Sequence, residues 1–132
     1  EMSLRLVLNV LLGNGDAHIK NWSLIYTNPT RPRLAPAYDL VSTVAYLTHD
    51  KTTALNMAGV KRFDTIGFDT FAALFARIGL HDHVRDDLME SVRSTTRRVL
   101  DAWEHCFAAA GVPDHLVQRI EAHIRAMTLS RA

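Results

Sequence analysis

Gly13-Asn14-Gly15-Asp16-Ala17-His18-Ile19-Lys20-Asn21 is the stretch on which the reading of this chain turns. It sets glycines, polar and ionisable residues between two apolar segments. Before it, Met2 to Leu12 is almost continuously apolar and Leu-rich, and Gly13 is a natural stop, which together predict a buried helix. After it, Trp22-Ser23-Leu24-Ile25-Tyr26 predicts a strand of bulky residues. Asn14, Gly15 and Asp16 suit a turn, because these residues tolerate left-handed or locally hydrogen-bonded backbone. A loop anchored at both ends by packed elements is where binding and catalytic groups concentrate.

Working outward, Thr27 to Arg33 is a polar connection with two prolines, as in a hairpin loop. Leu34-Ala35-Pro36-Ala37-Tyr38-Asp39 returns as an extended segment that Pro36 confines to an edge. Residues 40–67 carry the weakest pattern, and Ala54-Leu55-Asn56-Met57 fits a short strand or a turn. From Phe68 onward the period is helical. Phe71, Leu74, Phe75 and Ile78 lie at i, i+3, i+4 and i+7, with Asp69 or Thr70 as a cap and Gly79 as a stop. Val84, Leu88, Val92, Val99, Trp103 and Phe107 mark a long amphipathic helix ending at Gly111. Pro113 suits the first turn of a last helix whose Val117, Ile120, Ile124 and Met127 share a face. The fold class expected is mostly α with a small β-hairpin at the front and a helical bundle behind. Residues 1–46 carry the functional loops and residues 68–132 the helical part.

The 132 residues are 48% apolar and 22% charged, the profile of one ordinary globular domain with a single core. Fifteen basic against fourteen acidic side chains give a formal charge of +1, which offers no footprint for direct nucleic-acid binding. One cysteine, Cys106, cannot close an internal disulfide, so a cytoplasmic location is expected. No apolar run reaches the roughly 20 residues that span a bilayer, and no signal peptide is recognised, so no membrane partner is expected.

The chemistry lies in the first third. Asp16 and Asn21 stand five apart, the spacing of the kinase catalytic loop H-R-D-x-x-x-x-N. In that loop the Asp orients a hydroxyl nucleophile and accepts its proton, and the Asn side-chain oxygen binds magnesium. A second carboxylate should follow on a nearby strand, and Asp39 is placed for it. Magnesium takes oxygen ligands and keeps waters, so one Asn, one Asp and phosphate oxygens make a sensible site.

The string Gly13-Asn14-Gly15-Asp16-Ala17-His18-Ile19-Lys20-Asn21-Trp22-Ser23-Leu24, followed by Leu34-Ala35-Pro36-Ala37-Tyr38-Asp39-Leu40-Val41-Ser42-Thr43, resembles the C-terminal domain of HipA-like serine/threonine kinases, toxins of bacterial toxin–antitoxin modules. The resemblance is strongest over residues 4–46, and Gly59 to Asp64 also suits the family. It implies a kinase-like C-terminal lobe in which Asp16 is the catalytic aspartate and Asn21 and Asp39 hold Mg2+ and, through it, ATP. It further implies that Lys20 counters phosphate charge and that His18 belongs to the catalytic loop. The partners implied are a protein substrate, an aminoacyl-tRNA synthetase in the best-known members, and a DNA-binding antitoxin. A Gly-rich phosphate loop and a strand lysine are missing from these residues, so the nucleotide-covering N-terminal lobe is expected to be absent and the isolated chain inactive. On that view the apolar start, Met2 to Leu8, is a cut face through which the chain self-associates.

Other readings compete. Asp16 alone also fits a turn or cap residue, and Lys20 a solvated charge. Trp22 and Tyr38 read as core aromatics, Arg97-Arg98 as a solvated helix face. His49-Asp50 has the form of an HD-type metal-dependent phosphohydrolase dyad, with His18 and His81-Asp82-His83 as further ligands. Asp82, though, is explained by a helix N-terminus, and residues 47–51 read as an exposed loop. A non-catalytic helical module that binds a partner is a third class.

Overall fold

The computed structural model describes residues 1–47 and 49–131. Four helices carry the fold: α1 (Met2–Leu11), α2 (Phe68–Arg77), α3 (Asp82–Ala109) and α4 (Asp114–Ala126). Two short antiparallel hairpins lie between α1 and α2. Strands β1 (Leu24–Ile25) and β2 (Arg33–Leu34) pair with Leu24 opposite Leu34, and β3 (Thr52–Met57) and β4 (Val60–Arg62) pair with Met57 opposite Val60. Single helical turns at Ile19–Asn21, Thr43–Ala45 and Phe63–Thr65 link them.

α1 is the centre of the molecule. Its apolar content is high enough for burial on most sides, and Val7 and Leu11 are completely enclosed. It packs along α3, which also takes α2, so that Leu6, Val10, Phe71, Phe75, Val92 and Met57 form one core. Enclosing a side chain such as Phe71 contributes about 1.5–3 kcal/mol. A smaller cluster of Trp103, Ile120 and Ile124 joins the ends of α3 and α4, with Ala45 beneath. At the start of α2, the Gly67 N–H donates to the Thr70 hydroxyl at 3.2 Å, which satisfies one orphan donor of the helix end.

The mostly helical architecture with a front hairpin is as expected, and three details differ. The stretch around Ala54–Met57 is a full strand with its own partner, giving a second hairpin closed by Ala58 and Gly59, both at positive φ. Within Met2 to Leu8, Leu6 and Val7 are core residues because α1 packs along α3, Met2 is exposed, and Leu4 and Leu8 are half-buried along an open apolar groove against α3. Ile78 follows the last turn of α2 and is exposed, and Tyr38 is 44% exposed because its hydroxyl reaches loop partners instead of entering the core. Trp22 does pack against the core, as its bulk suggested. Among the described residues no helix is long and apolar enough to cross a membrane.

Candidate active site

α1 ends at a sharp turn that launches the loop. Gly13 takes φ +67, and a Cβ there would lie 2.5 Å from Val44, so glycine is required both by conformation and by space. At Gly15 a Cβ would fall 2.1 Å from the Asp50 carboxylate. Between them sits Asn14, 2% exposed, with its side chain fully hydrogen-bonded. Its Oδ1 accepts the Asp16 N–H at 3.1 Å, and its Nδ2 donates to Asn9 Oδ1 at 2.8 Å and to the Asp39 carbonyl at 3.2 Å.

A second anchor comes from Thr43. Its hydroxyl accepts the Gly15 N–H at 2.8 Å, lies 3.0 Å from the Gly13 carbonyl, and contacts the Asp50 carboxylate. Two α4 side chains one turn apart add a third: Arg119 donates to the Ala45 carbonyl at 2.9 Å, and His123 Nε2 meets the Val10 carbonyl at 3.0 Å. Burial between Phe63 and α1 pushes the His123 imidazole below its ordinary range, so the neutral ring donates from Nε2. On the hairpin side, the buried Arg5 guanidinium donates to the Ala35 carbonyl and pairs with Glu1.

The sequence-derived site residues fall on this frame as two groups. Asp16 projects from the loop with its carboxylate 68% exposed, and His18 Nε2 lies 3.8 Å from Asp16 Oδ1. Asp16, Thr43, His49 and Lys51 line one open cleft of about 530 Å³. Asn21 ends the Ile19–Asn21 turn, and its Nδ2 donates to Asp39 Oδ2. Asp39 holds a left-handed backbone at φ +56, which is uncommon for a residue with a Cβ and marks a constrained position. Lys20 is exposed on the same turn, and its carbonyl accepts from the Tyr38 hydroxyl at 3.2 Å. That hydroxyl also lies 2.6 Å from Ser23 Oγ, which fastens the segment before Asp39 to the loop.

The donor set suits a small hard cation. Asn21 Oδ1 is buried and has no hydrogen-bond partner, although its amide nitrogen is bonded to the neighbouring Asp39 carboxylate. A buried acceptor without a donor costs free energy unless something positive completes it. One amide oxygen beside one carboxylate is the oxygen chemistry that magnesium takes. His18 Nδ1 is likewise buried without a partner.

The alternative metal residues do not converge. Leu47, His49 and Lys51 are exposed as expected, whereas Asp50 is half-buried with its carboxylate engaged by Thr43, and Thr48 lies outside the described residues. His81 and His83 stack on each other where α3 starts, 5.9 Å between ring centres, and Asp82 opens that helix. Among the described residues no three His, Cys, Asp or Glu side chains group as metal ligands. Asn14, Thr43, Asp50 and the Arg5–Asn9 pair are the structural residues that sequence reasoning missed. Arg5 and Asn9, four apart on a mostly apolar helix, were the available signal.

A family model described as the HipA-like C-terminal domain matches residues 1–103. The chain belongs to the HipA-like C-terminal domain family. A protein of Sinorhizobium fredii named "Putative kinase Y4dM" is 40% identical over 104 residues, which cover 79% of this chain and 25% of that protein. A second from the same strain, "Putative kinase Y4mE", is 30% identical over 129 residues, covering 94% of this chain and 30% of that one. Among solved structures, HipA from the Shewanella oneidensis MR-1 toxin–antitoxin complex of HipA, HipB and operator DNA superposes with a TM-score of 0.72 at 23% identity. That likeness covers 95% of this chain and 30% of the HipA chain, and it shows that the two share a fold. The chain thus spans between a quarter and a third of the length of the relatives it matches.

Proposed function

We propose that this HipA-like domain is the catalytic lobe of a serine/threonine protein kinase, toxin of a toxin–antitoxin module, that uses ATP and Mg2+. The observation that carries the reading is the Asn21–Asp39 contact, with Asn21 Oδ1 buried and unpartnered, on the same loop as an exposed Asp16. Asp16 orients the serine or threonine hydroxyl and takes its proton as the oxygen bonds to the γ-phosphorus. The bond from that phosphorus to the bridging oxygen of ADP breaks as the new one forms. Asn21 Oδ1 and the Asp39 carboxylate would hold magnesium, which would supply charge neutralisation at the phosphates. Lys20 adds a compact positive charge on the same turn, and His18 shapes the loop beside the Asp16 carboxylate. Catalysis of this kind is chiefly positioning and electrostatics, which suits a site whose frame is so fully hydrogen-bonded. The remaining parts, a Gly-rich phosphate cover and its lysine, are not among these 132 residues, so turnover is assigned to the full-length protein.

The names of the relatives and the HipA complex support a kinase with an antitoxin partner that contacts DNA. The near-neutral charge of this chain favours DNA contact through that partner alone. The test is phosphate transfer from γ-labelled ATP by the full-length protein, followed by phosphoamino-acid analysis. Label on serine or threonine, abolished by Asp16→Ala, is the expected result. Undiminished labelling by a folded Asp16→Ala protein would overturn the assignment.

A further inference from the structure

We propose that Asn14 is a positioning residue that sets the catalytic and metal-binding loops in register with each other; this rests on the reading of Asp16, Asn21 and Asp39 given above. Asn14 touches neither exposed carboxylate. Its carboxamide instead holds the backbone of both residues that carry them: Oδ1 takes the Asp16 N–H at 3.1 Å, and Nδ2 gives one N–H to the Asp39 carbonyl at 3.2 Å. The other N–H goes to Asn9 Oδ1 at 2.8 Å, on the core helix α1. An amide is suited to this task, because one planar group offers an acceptor and two donors in fixed directions. At 2% exposure no water competes for these bonds.

The geometry has a consequence at Asp39. Its φ of +56 is a conformation that L side chains seldom adopt, so something must over-determine it. Two contacts do so from opposite ends of the residue: Asn21 on the carboxylate and Asn14 on the carbonyl. The Thr43–Asp50 anchor fixes Gly15 but does not reach Asp39, so Asn14 is the buried link between Asp16 and Asp39, behind the exposed contacts that Asn21 and Tyr38 make between the same two loops. Residues that orient a ligand from behind typically change metal affinity by about 10–100-fold when removed.

The experiment uses the full-length protein and Mn2+ as a spectroscopic probe, with binding followed by electron paramagnetic resonance. Asn14→Leu keeps the size, removes all three bonds and adds no charge. Its expected effect is a weakening of Mn2+ binding by about tenfold. The Mg2+ concentration for half-maximal phosphotransfer rises in parallel, while KM for the protein substrate stays unchanged. A general loss of folded protein would lower the active fraction and move neither constant. Where Asn14→Leu does not fold, Asn9→Ala takes its place, and a smaller weakening of Mn2+ binding in the same direction is expected. Asp39→Asn, measured alongside, should lose Mn2+ binding. If Asp39→Asn loses it while folded Asn14→Leu or Asn9→Ala binds Mn2+ like the parent, the role of Asn14 is overturned alone. If Asp39→Asn itself binds Mn2+ normally, the metal-site reading falls and the inference with it.

Discussion

Residues 13–47 and residues 68–131 solve the problem of holding a shape in opposite ways. In the helical part, apolar side chains such as Phe71, Val92 and Ile120 are enclosed and the charged ones stand in solvent. In the front part the partition is partly inverted. Ile19, Leu24, Tyr26 and Tyr46 are more than half exposed, and the polar Asn14 is almost completely buried. Volume specifies the back, since a packed core tolerates neither holes nor excess. Direction specifies the front, where hydrogen bonds from Asn14, Thr43, Tyr38 and Arg119 end on backbone atoms of the loops. A region built by direction can present exposed functional groups at set angles, which a region built by volume cannot do.

Perturbations chosen to separate the two regimes should have distinct signatures. The largest effect is on activity in the front: Asp16→Ala should lower phosphotransfer by the full-length protein by about 1,000-fold. Because that carboxylate is 68% exposed and, among the described residues, meets only His18, at 3.8 Å, unfolding free energy should shift by less than about 0.5 kcal/mol in a denaturant titration. Phe71→Ala should do the reverse. It opens a cavity in the core and should cost about 3–5 kcal/mol of stability, with activity per folded molecule retained. Thr43→Val sits between the regimes. Losing the hydroxyl leaves the Gly15 N–H and the Asp50 carboxylate without their partner, which should cost about 1–3 kcal/mol and also impair turnover.

The smallest effect is a pH dependence that originates at the border of the two regions. Burial holds the His123 imidazole below its ordinary value, so the unfolded chain binds a proton that the folded chain resists. Stability should therefore be level above the unfolded histidine pKa of about 6.5 and fall as the pH drops below it. Thermal melts of wild type and His123→Gln across that range check the sign. The variant, which still offers an N–H to Val10, should lose less stability on acidification, and an identical slope for the two would exclude His123 as the source.

The same division explains what could be read from the residues in order. The helical part announced itself because volume leaves a periodic trace: Phe71, Leu74 and Phe75, then the stripe from Val84 to Phe107, recur at helical spacing. The first hairpin was legible from its bulky strand and proline-rich connection. The second was not, because its tight turn is Ala58-Gly59 in place of the Asn-Gly pair that advertises two positive φ angles. The candidates Asp16, Asn21 and Asp39 stood out through spacing and resemblance. Their supporting residues were not, since Asn14 looks like any turn residue and Asp50 like half of a metal dyad until the chain is folded. Directional contacts between Thr43 and Gly15, or between α4 and α1, join positions with no fixed spacing, so no periodicity reports them.

α4 lies beyond the 103 residues matched by the family model, and it contains none of the candidate catalytic groups. It nevertheless acts as a buttress. Arg119 and His123, one turn apart on it, brace carbonyls on either side of the Gly13–Val44 contact from which the candidate catalytic loop springs. A chain ending before α4 would keep every residue assigned to chemistry and lose the floor on which they stand.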